Sequence, residues 1–247
     1  MRRPSEPILN VPPVVVATLA VLAIVHAVRV VLLPADLQEE FLLLFAFIPA
    51  RYDAAVSLLR GDLPGSPGAD LWSFVTYSLI HADWLHLTMN AIWLLPFGSA
   101  LARRIGSLRF VIFFVLTAAA GAAAHLATHF GEFYPMVGAS AAISGTMAAA
   151  MRFAFQPGGP LRRRVGHDDA AYFVPAVSLI GSFRDPRFLA FVVVWFGINA
   201  IFGLGGMQLE AGQTVAWEAH IGGFIAGLLL FSLLDPVGRS VDVRAAD

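Results

Sequence analysis

Three short clusters hold the side chains able to do chemistry. The first is His81-Ala-Asp-Trp-Leu-His86-Leu-Thr-Met-Asn90. His86 and Asn90 stand four apart and share a helix face that Leu94 continues, while His81, five before His86, is read as capping the approach. The second is Val137-Gly138-Ala-Ser140-Ala-Ala-Ile-Ser144-Gly145, entered from a loop ending in Tyr134-Pro135. The third is Trp217-Glu-Ala-His220-Ile-Gly-Gly223-Phe-Ile-Ala-Gly227. A serine hydroxyl becomes a nucleophile when a neutral imidazole within hydrogen-bond reach takes its proton. Peptide cleavage also needs donors aimed at the tetrahedral oxyanion. Ser140 and His220 supply the first pair, and His86, Asn90 and the Ser140 backbone N–H supply the donors. Gly138 leaves room for a second backbone or a substrate to come close. His220, Gly223 and Gly227 share one face, so a small-faced neighbouring helix can bring Ser140 to the imidazole. No carboxylate is placed to orient His220, because Glu218 points about 160–200° away on an ideal helix. A Ser–His dyad is therefore the economical reading. Taken singly, each cluster has a structural reading as well: a His/Asn hydrogen-bonded unit, or a small-residue packing face for Ser144, Gly145, Ala148 and Ala149. Their convergence at one depth favours chemistry.

The elements that must position these groups are membrane spans. The chain has 247 residues, of which 58% are hydrophobic and only 13% charged, with a mean hydropathy of +0.74. Soluble domains carry about 25% charged residues, so a soluble globule, a nucleic-acid binder and a disordered chain are all disfavoured. The absence of cysteine removes thiol nucleophiles, disulfides and thiolate metal sites. Apolar runs near the ~20 residues needed to cross a bilayer occur at 14–33, 84–101, 109–129, 188–206 and 216–234, with a shorter one at 140–155. That predicts an all-α polytopic bundle of six spans whose short fourth helix is entered from an outer loop. Phe41–Ile48 is too short to cross and suits an interfacial segment, and 171–180 is short and carries Pro175. The first span is read as retained, since no small-residue cleavage site follows it. The domain layout expected is an N-terminal tail over 1–13, a membrane domain over 14–235 and a C-terminal tail over 236–247.

Charge placement sets the expected orientation. All sixteen basic residues are Arg. With a cytoplasmic N-terminus, the inner segments hold Arg103, Arg104, Arg109, Arg152, the Arg162–Arg164 run, Arg184 and Arg187, whereas the outer ones hold only Arg51 and Arg60. Arg29, near the outer end of span one, is expected to snorkel. The outer connection 34–83 is about fifty residues, too long to be passive. No internal repeat is visible, which weakens a two-halved transporter.

On these residues the chain resembles the rhomboid family of intramembrane serine proteases. The matching pieces are His81-x-x-x-x-His86-Leu-x-x-Asn90, Gly138-Ala-Ser140 with Ile143-Ser-Gly145, and Ala219-His220-x-x-Gly223-x-x-x-Gly227, in family order on spans two, four and six. The resemblance covers about residues 70–235. It implies Ser140 as nucleophile, His220 as general base, and an oxyanion site from His86, Asn90 and the Ser140 N–H, with no cofactor and no metal. It implies single-span transmembrane proteins as substrates in the lipid bilayer, and a multi-pass protein of the cell membrane, bacterial inner membrane by expectation, with both termini cytoplasmic and the site facing outward. The long first loop would be a partly embedded structural loop, Gly203–Gly212 a flexible cap, and span five with Phe191, Trp195 and Phe196 a lateral gate. Several positions depart from the family pattern. Ala141 stands where Gly often follows the nucleophile, and Ser144 where some members place a ring against the catalytic His. Val215 fills a position often small, and the first loop has no evident Trp-Arg pair, Arg51-Tyr52 receiving no role.

Other chemistries fit less well. No His-Glu-x-x-His occurs for a metalloprotease, and no pair of carboxylates lies in the spans for an aspartyl protease. His125 and His129, one turn apart at the outer end of span three, lack an opposing ligand pair and read as end-of-helix polarity. The remaining rival is a non-catalytic member of the same fold that binds membrane proteins for sorting or degradation. Such relatives lack the nucleophile or base, and this chain has both.

Overall fold

A computed structural model describes residues 10–162, 169–203 and 215–237. The first nine residues, most of the Arg162–Arg164 run, nearly all of the expected cap and most of the C-terminal tail lie outside the described residues. The described residues are helical, with one isolated antiparallel bridge between Phe47 and Met136. They form an all-α membrane bundle.

Helix α1 (Pro13–Ala27) starts on Pro12-Pro13, where a missing N–H costs nothing, and runs on through a π-helical turn at Val28–Leu32 to Leu33-Pro34. Between it and the second span come α2 (Ala35–Phe45), a tight turn at Pro49–Tyr52, α3 (Ala54–Arg60) and α4 (Gly68–Thr76). Helix α5 (Trp84–Ile105) is capped by the Asp83 carboxylate, which accepts the His86 N–H at 2.7 Å, and stops at Gly106, whose φ is +80°. Helix α6 (Ser107–Thr128) returns across the bundle. The central helix α7 (Ser140–Ala154) has 15 residues, about 22 Å of rise against the ~30 Å hydrocarbon core. It is shorter than that core, and all of it beyond Ser140 is buried. The one-turn α8 (Leu179–Ser182) precedes α9 (Pro186–Gly203), and α10 (Trp217–Leu234) closes the bundle. Among the described residues four helices, α1 with its π turn, α5, α6 and α10, are long and apolar enough to cross a membrane. Their outward-facing residues are large and apolar, among them Ile24, Val31, Leu85, Ile92, Val111 and Leu229.

Glycines set how close α10 comes to its neighbours. A Cβ on Gly222 would meet Ala124 and the Ala120 carbonyl of α6. One on Gly223 would collide with the Ala141 backbone, and one on Gly227 with Gly145, both on α7. Without a hydrophobic drive between helices in lipid, backbone-close packing of this kind is what holds them. The helix pairing expected from the small-residue faces is the one observed.

Two expectations are corrected. Arg29 does not snorkel: it is 6% exposed, and its guanidinium donates to the carbonyls of His81 (2.6 Å) and Ala82 (2.9 Å). Those carbonyls sit in a non-helical stretch and need donors, so the arginine turns inward. Phe41–Ile48 is not one interfacial segment. Phe41–Phe45 ends α2, while Ala46, Phe47 and Ile48 run extended and fully buried, with Phe47 paired to Met136 by two backbone bonds of 3.1 and 2.8 Å. Arg51, given no role by sequence, organises this loop. Its side chain is fully buried and donates to the Leu43 and Pro64 carbonyls, Ser66 Oγ and Asp70 Oδ1.

Candidate active site

The strand-like segment before α7 aims Ser140 inward. Phe47 holds Met136, and the Gly138 N–H donates to the Tyr77 carbonyl at 3.0 Å. Tyr77 is itself fixed by its hydroxyl, which donates to the Ala118 carbonyl at 2.9 Å. Gly138 has φ +123°, where side chains are strained, and a Cβ there would lie 2.7 Å from His86 Cε1 and Nε2. The glycine thus lets the His86 ring lie directly over the Ser140 turn. Ser140 opens α7, so its N–H has no acceptor within the helix.

The α7–α10 glycine contacts bring His220 to the same point. His220 Nε2 lies 2.7 Å from Ser140 Oγ. On its other side, Nδ1 lies 2.6 Å from Asn199 Oδ1, and Asn199 Nδ2 donates to the Trp195 carbonyl at 2.8 Å. Sequence reasoning missed Asn199. The available signal was an amide in the otherwise apolar α9, since a polar side chain within a span needs a partner. Ser144 plays no part in holding the imidazole; its hydroxyl donates back to the Ser140 carbonyl at 2.7 Å.

Of the remaining predicted residues, the structure brings His86 against Gly138, two residues before Ser140, and leaves two others less engaged. The Ala82 N–H points at His86 Nδ1 (3.4 Å), which puts the ring's hydrogen on Nε2, the atom facing Gly138. Asn90 is buried, one turn along α5, with Nδ2 donating to the His86 carbonyl at 3.1 Å. His81 does not cap α5, because Asp83 does. Instead it is fully buried with its ring 5.1 Å from that of His86, and its carbonyl is held by His26 and Arg29.

Glu218 points away from His220, as expected, and approaches His129 (3.9 Å). With His125, whose ring stacks on His129 at 4.2 Å, it forms a group whose ligand atoms spread over up to 4.8 Å. Ligands about 2.0–2.1 Å from tetrahedral zinc lie roughly 3.4 Å apart, and His129 Nδ1 already shares a 2.8 Å hydrogen bond with Thr128 Oγ1. The group as it stands is a contact between α6 and α10.

Comparison with known proteins agrees with this architecture. The chain is 23% identical over 162 residues to the rhomboid protease GlpG of Haemophilus influenzae, covering 65% of this chain and 68% of that protein. The model of the rhomboid domain matches residues 68–235, from the start of α4 to just past the end of α10. That match takes in more than half of the chain and every residue of the Ser140 site, and on it this multi-pass membrane protein belongs to the rhomboid family.

Proposed function

We propose that the protein is an intramembrane serine endopeptidase that cuts single-span membrane proteins within or beside their transmembrane segments. The observation that carries this reading is the 2.7 Å contact of Ser140 Oγ with His220 Nε2, at the start of a buried helix in a rhomboid-family chain. His220 Nε2 takes the Ser140 proton as Oγ attacks the scissile carbonyl. The Ser140 N–H and His86 Nε2–H face the developing oxyanion, each donor contributing about 10²–10³ in rate. Asn90 has a second amide hydrogen beyond the one given to His86, and that hydrogen is the third donor. The protonated imidazole then passes its proton to the leaving amine, and water, deprotonated by the same nitrogen, releases the acyl group.

The proposed setting is a bacterial inner membrane with both termini cytoplasmic and Ser140 at the outer face. Support comes from the arginines: Arg104 and Arg152 lie near the helix ends opposite Ser140. A reporter fused after Asp247 is expected to read out as cytoplasmic.

The test is cleavage of a model single-span substrate by the purified protein in detergent, alongside labelling by a fluorophosphonate. Wild type cleaves and labels; Ser140→Ala does neither, and His220→Ala loses at least about 10³-fold in cleavage. Cleavage unchanged in either variant refutes the dyad. A folded wild type that neither cleaves nor labels favours the binding-only reading.

A further inference from the structure

We propose that Asn199 is the positioning residue for the catalytic base, so that the working unit is a Ser140–His220–Asn199 relay anchored on α9. The inference rests on the serine-protease reading above and supplies what that reading leaves open, the group that fixes the imidazole.

The hydrogen-bond arithmetic leaves one arrangement. An amide offers an acceptor oxygen and a donor NH₂, which differ only by a flip. Asn199 has a backbone carbonyl, that of Trp195, 2.8 Å from one of its ends and His220 Nδ1 2.6 Å from the other. A carbonyl accepts only, so the NH₂ must face Trp195 and Oδ1 must face His220. Oδ1 in turn accepts only, so the imidazole hydrogen sits on Nδ1. Nε2 is then left with its lone pair towards Ser140 Oγ, 2.7 Å away. The Trp195 carbonyl thus dictates, through two side chains, the one tautomer in which His220 can act as a base. A carboxylate would do the same with added charge. In a buried site the neutral amide does it without a second desolvated ion.

The packing holds this geometry in register. Trp195, one turn before Asn199, stacks on Phe224 at 4.5 Å with 25° between the rings, and Phe224 lies one turn after His220. The ring stack and the Asn199–His220 bond are consecutive rungs between α9 and α10. Asn199 is 6% exposed and Trp195 9%, so the amide has little water to turn to. The orientation of the base consequently depends on α9 staying docked against α10.

Three variants test this in the full chain: Asn199→Leu, which keeps the volume and removes the acceptor, Asn199→Ala, and Asn199→Asp, which keeps the acceptor. Asn199→Leu and Asn199→Ala are expected to lower kcat about 10–100-fold, the usual effect of losing a hydrogen-bond partner that orients a functional histidine. KM is expected to hold within about twofold, since the residue does not touch substrate. Asn199→Asp is expected to restore most of kcat and to move the acid limb of the pH–rate profile upward, because an adjacent carboxylate favours the imidazolium. A merely structural role moves the unfolding midpoint and leaves that limb where it was. Nitrogen NMR of the His220 ring, assigned by difference with His220→Ala, reads the tautomer without any turnover. It is expected to show a single Nδ1–H form in wild type and a mixture in Asn199→Leu. Unchanged kcat in Asn199→Leu, or an unchanged ring spectrum, overturns the inference. Because the spectrum needs no activity, an inactive wild type would defeat the protease reading and still leave this inference decided.

Discussion

The two ends of the bundle solve the problem of polar groups in lipid in opposite ways. At the end away from Ser140, the charges are permanent and each is held by several partners. Arg104, 1% exposed, makes a two-point contact with the Asp235 carboxylate (2.9 and 2.9 Å) and donates to the Tyr172 and Val174 carbonyls, with Phe153 at 4.6 Å from its guanidinium. Arg152, equally buried, reaches the carbonyls of Leu228 and Val177 and the Ser232 hydroxyl. These arginines bind the C-terminal ends of α5, α7 and α10 to one another and to the loop after α7. At the Ser140 end Arg29 and Arg51 are buried in the surrounding loops, but the groups facing the reaction are imidazoles, amides and a hydroxyl. Four residues form one line, from the Trp195 carbonyl through Asn199 and His220 to Ser140. Donors held by several partners fix a structure and are not free for a substrate. Neutral groups with spare donors cost less to bury and can meet a charge that exists only during reaction. The arginine end keeps the fold; the serine end carries the chemistry.

The comparison is broken most directly by Arg104→Ala. Removing one partner of a buried ion pair leaves the other charged and unsolvated, which costs about 3–5 kcal/mol, and here two carbonyls lose their donor as well. The unfolding midpoint in detergent is expected to fall sharply, while kcat at a temperature where the variant is still folded stays within a few-fold of wild type. A large loss of kcat in folded Arg104→Ala would mean that the two ends are not independent. The next effect is smaller and of the opposite kind. Gly138→Ala puts a methyl where His86 lies, at a φ of +123°. Pushing that ring aside is expected to cost about 10²-fold in kcat, the value of one oxyanion donor, with a lesser loss of stability. Equal losses in both variants would erase the distinction.

How much of this was legible in the sequence follows from what periodicity can encode. The three site clusters, the short α7 and the glycine face of α10 are local patterns, and each was read at its place. Facing is harder to read when a helix is apolar all round. Helix α1 reads Pro-Val-Val-Val-Ala-Thr-Leu-Ala-Val-Leu-Ala-Ile-Val-His-Ala, where His26 is the one strong mark of the buried side. Arg29, three residues on, shares that side and binds the same His81 carbonyl instead of reaching the lipid interface. Helix α9 has the same uniformity, which is why Asn199 passed as background. Arg51 was missed for another reason. Two of its acceptors are backbone carbonyls, and all four come from residues 43, 64, 66 and 70, a convergence no motif records.

The smallest expected effect sharpens the comparison most finely, because it concerns a buried polar group that is not saturated. His81 is 0% exposed, and neither ring nitrogen has a well-formed partner among the described residues, the Leu79 carbonyl offering only a weak one. Burial first, then the neighbouring His86, His26 and Arg29, push its pKa down to about 3 from 6.5. Between those values the unfolded chain binds a proton that the folded one does not. Stability from this group is therefore complete above pH 6.5 and is lost as pH falls, by at most about 1.4 kcal/mol per pH unit. His81→Leu fills a similar volume with nothing to protonate. At pH 7.5 it is expected to change stability by less than about 1 kcal/mol, since exchanging a poorly bonded polar group for an apolar one of like shape is close to neutral. At pH 5 it is expected to be more stable than wild type. Unfolding midpoints of both proteins at the two pH values decide it. Parallel pH dependence, or a loss of several kcal/mol at pH 7.5, would show that His81 is as saturated as Arg104, and that the serine end is held by the same means as the other.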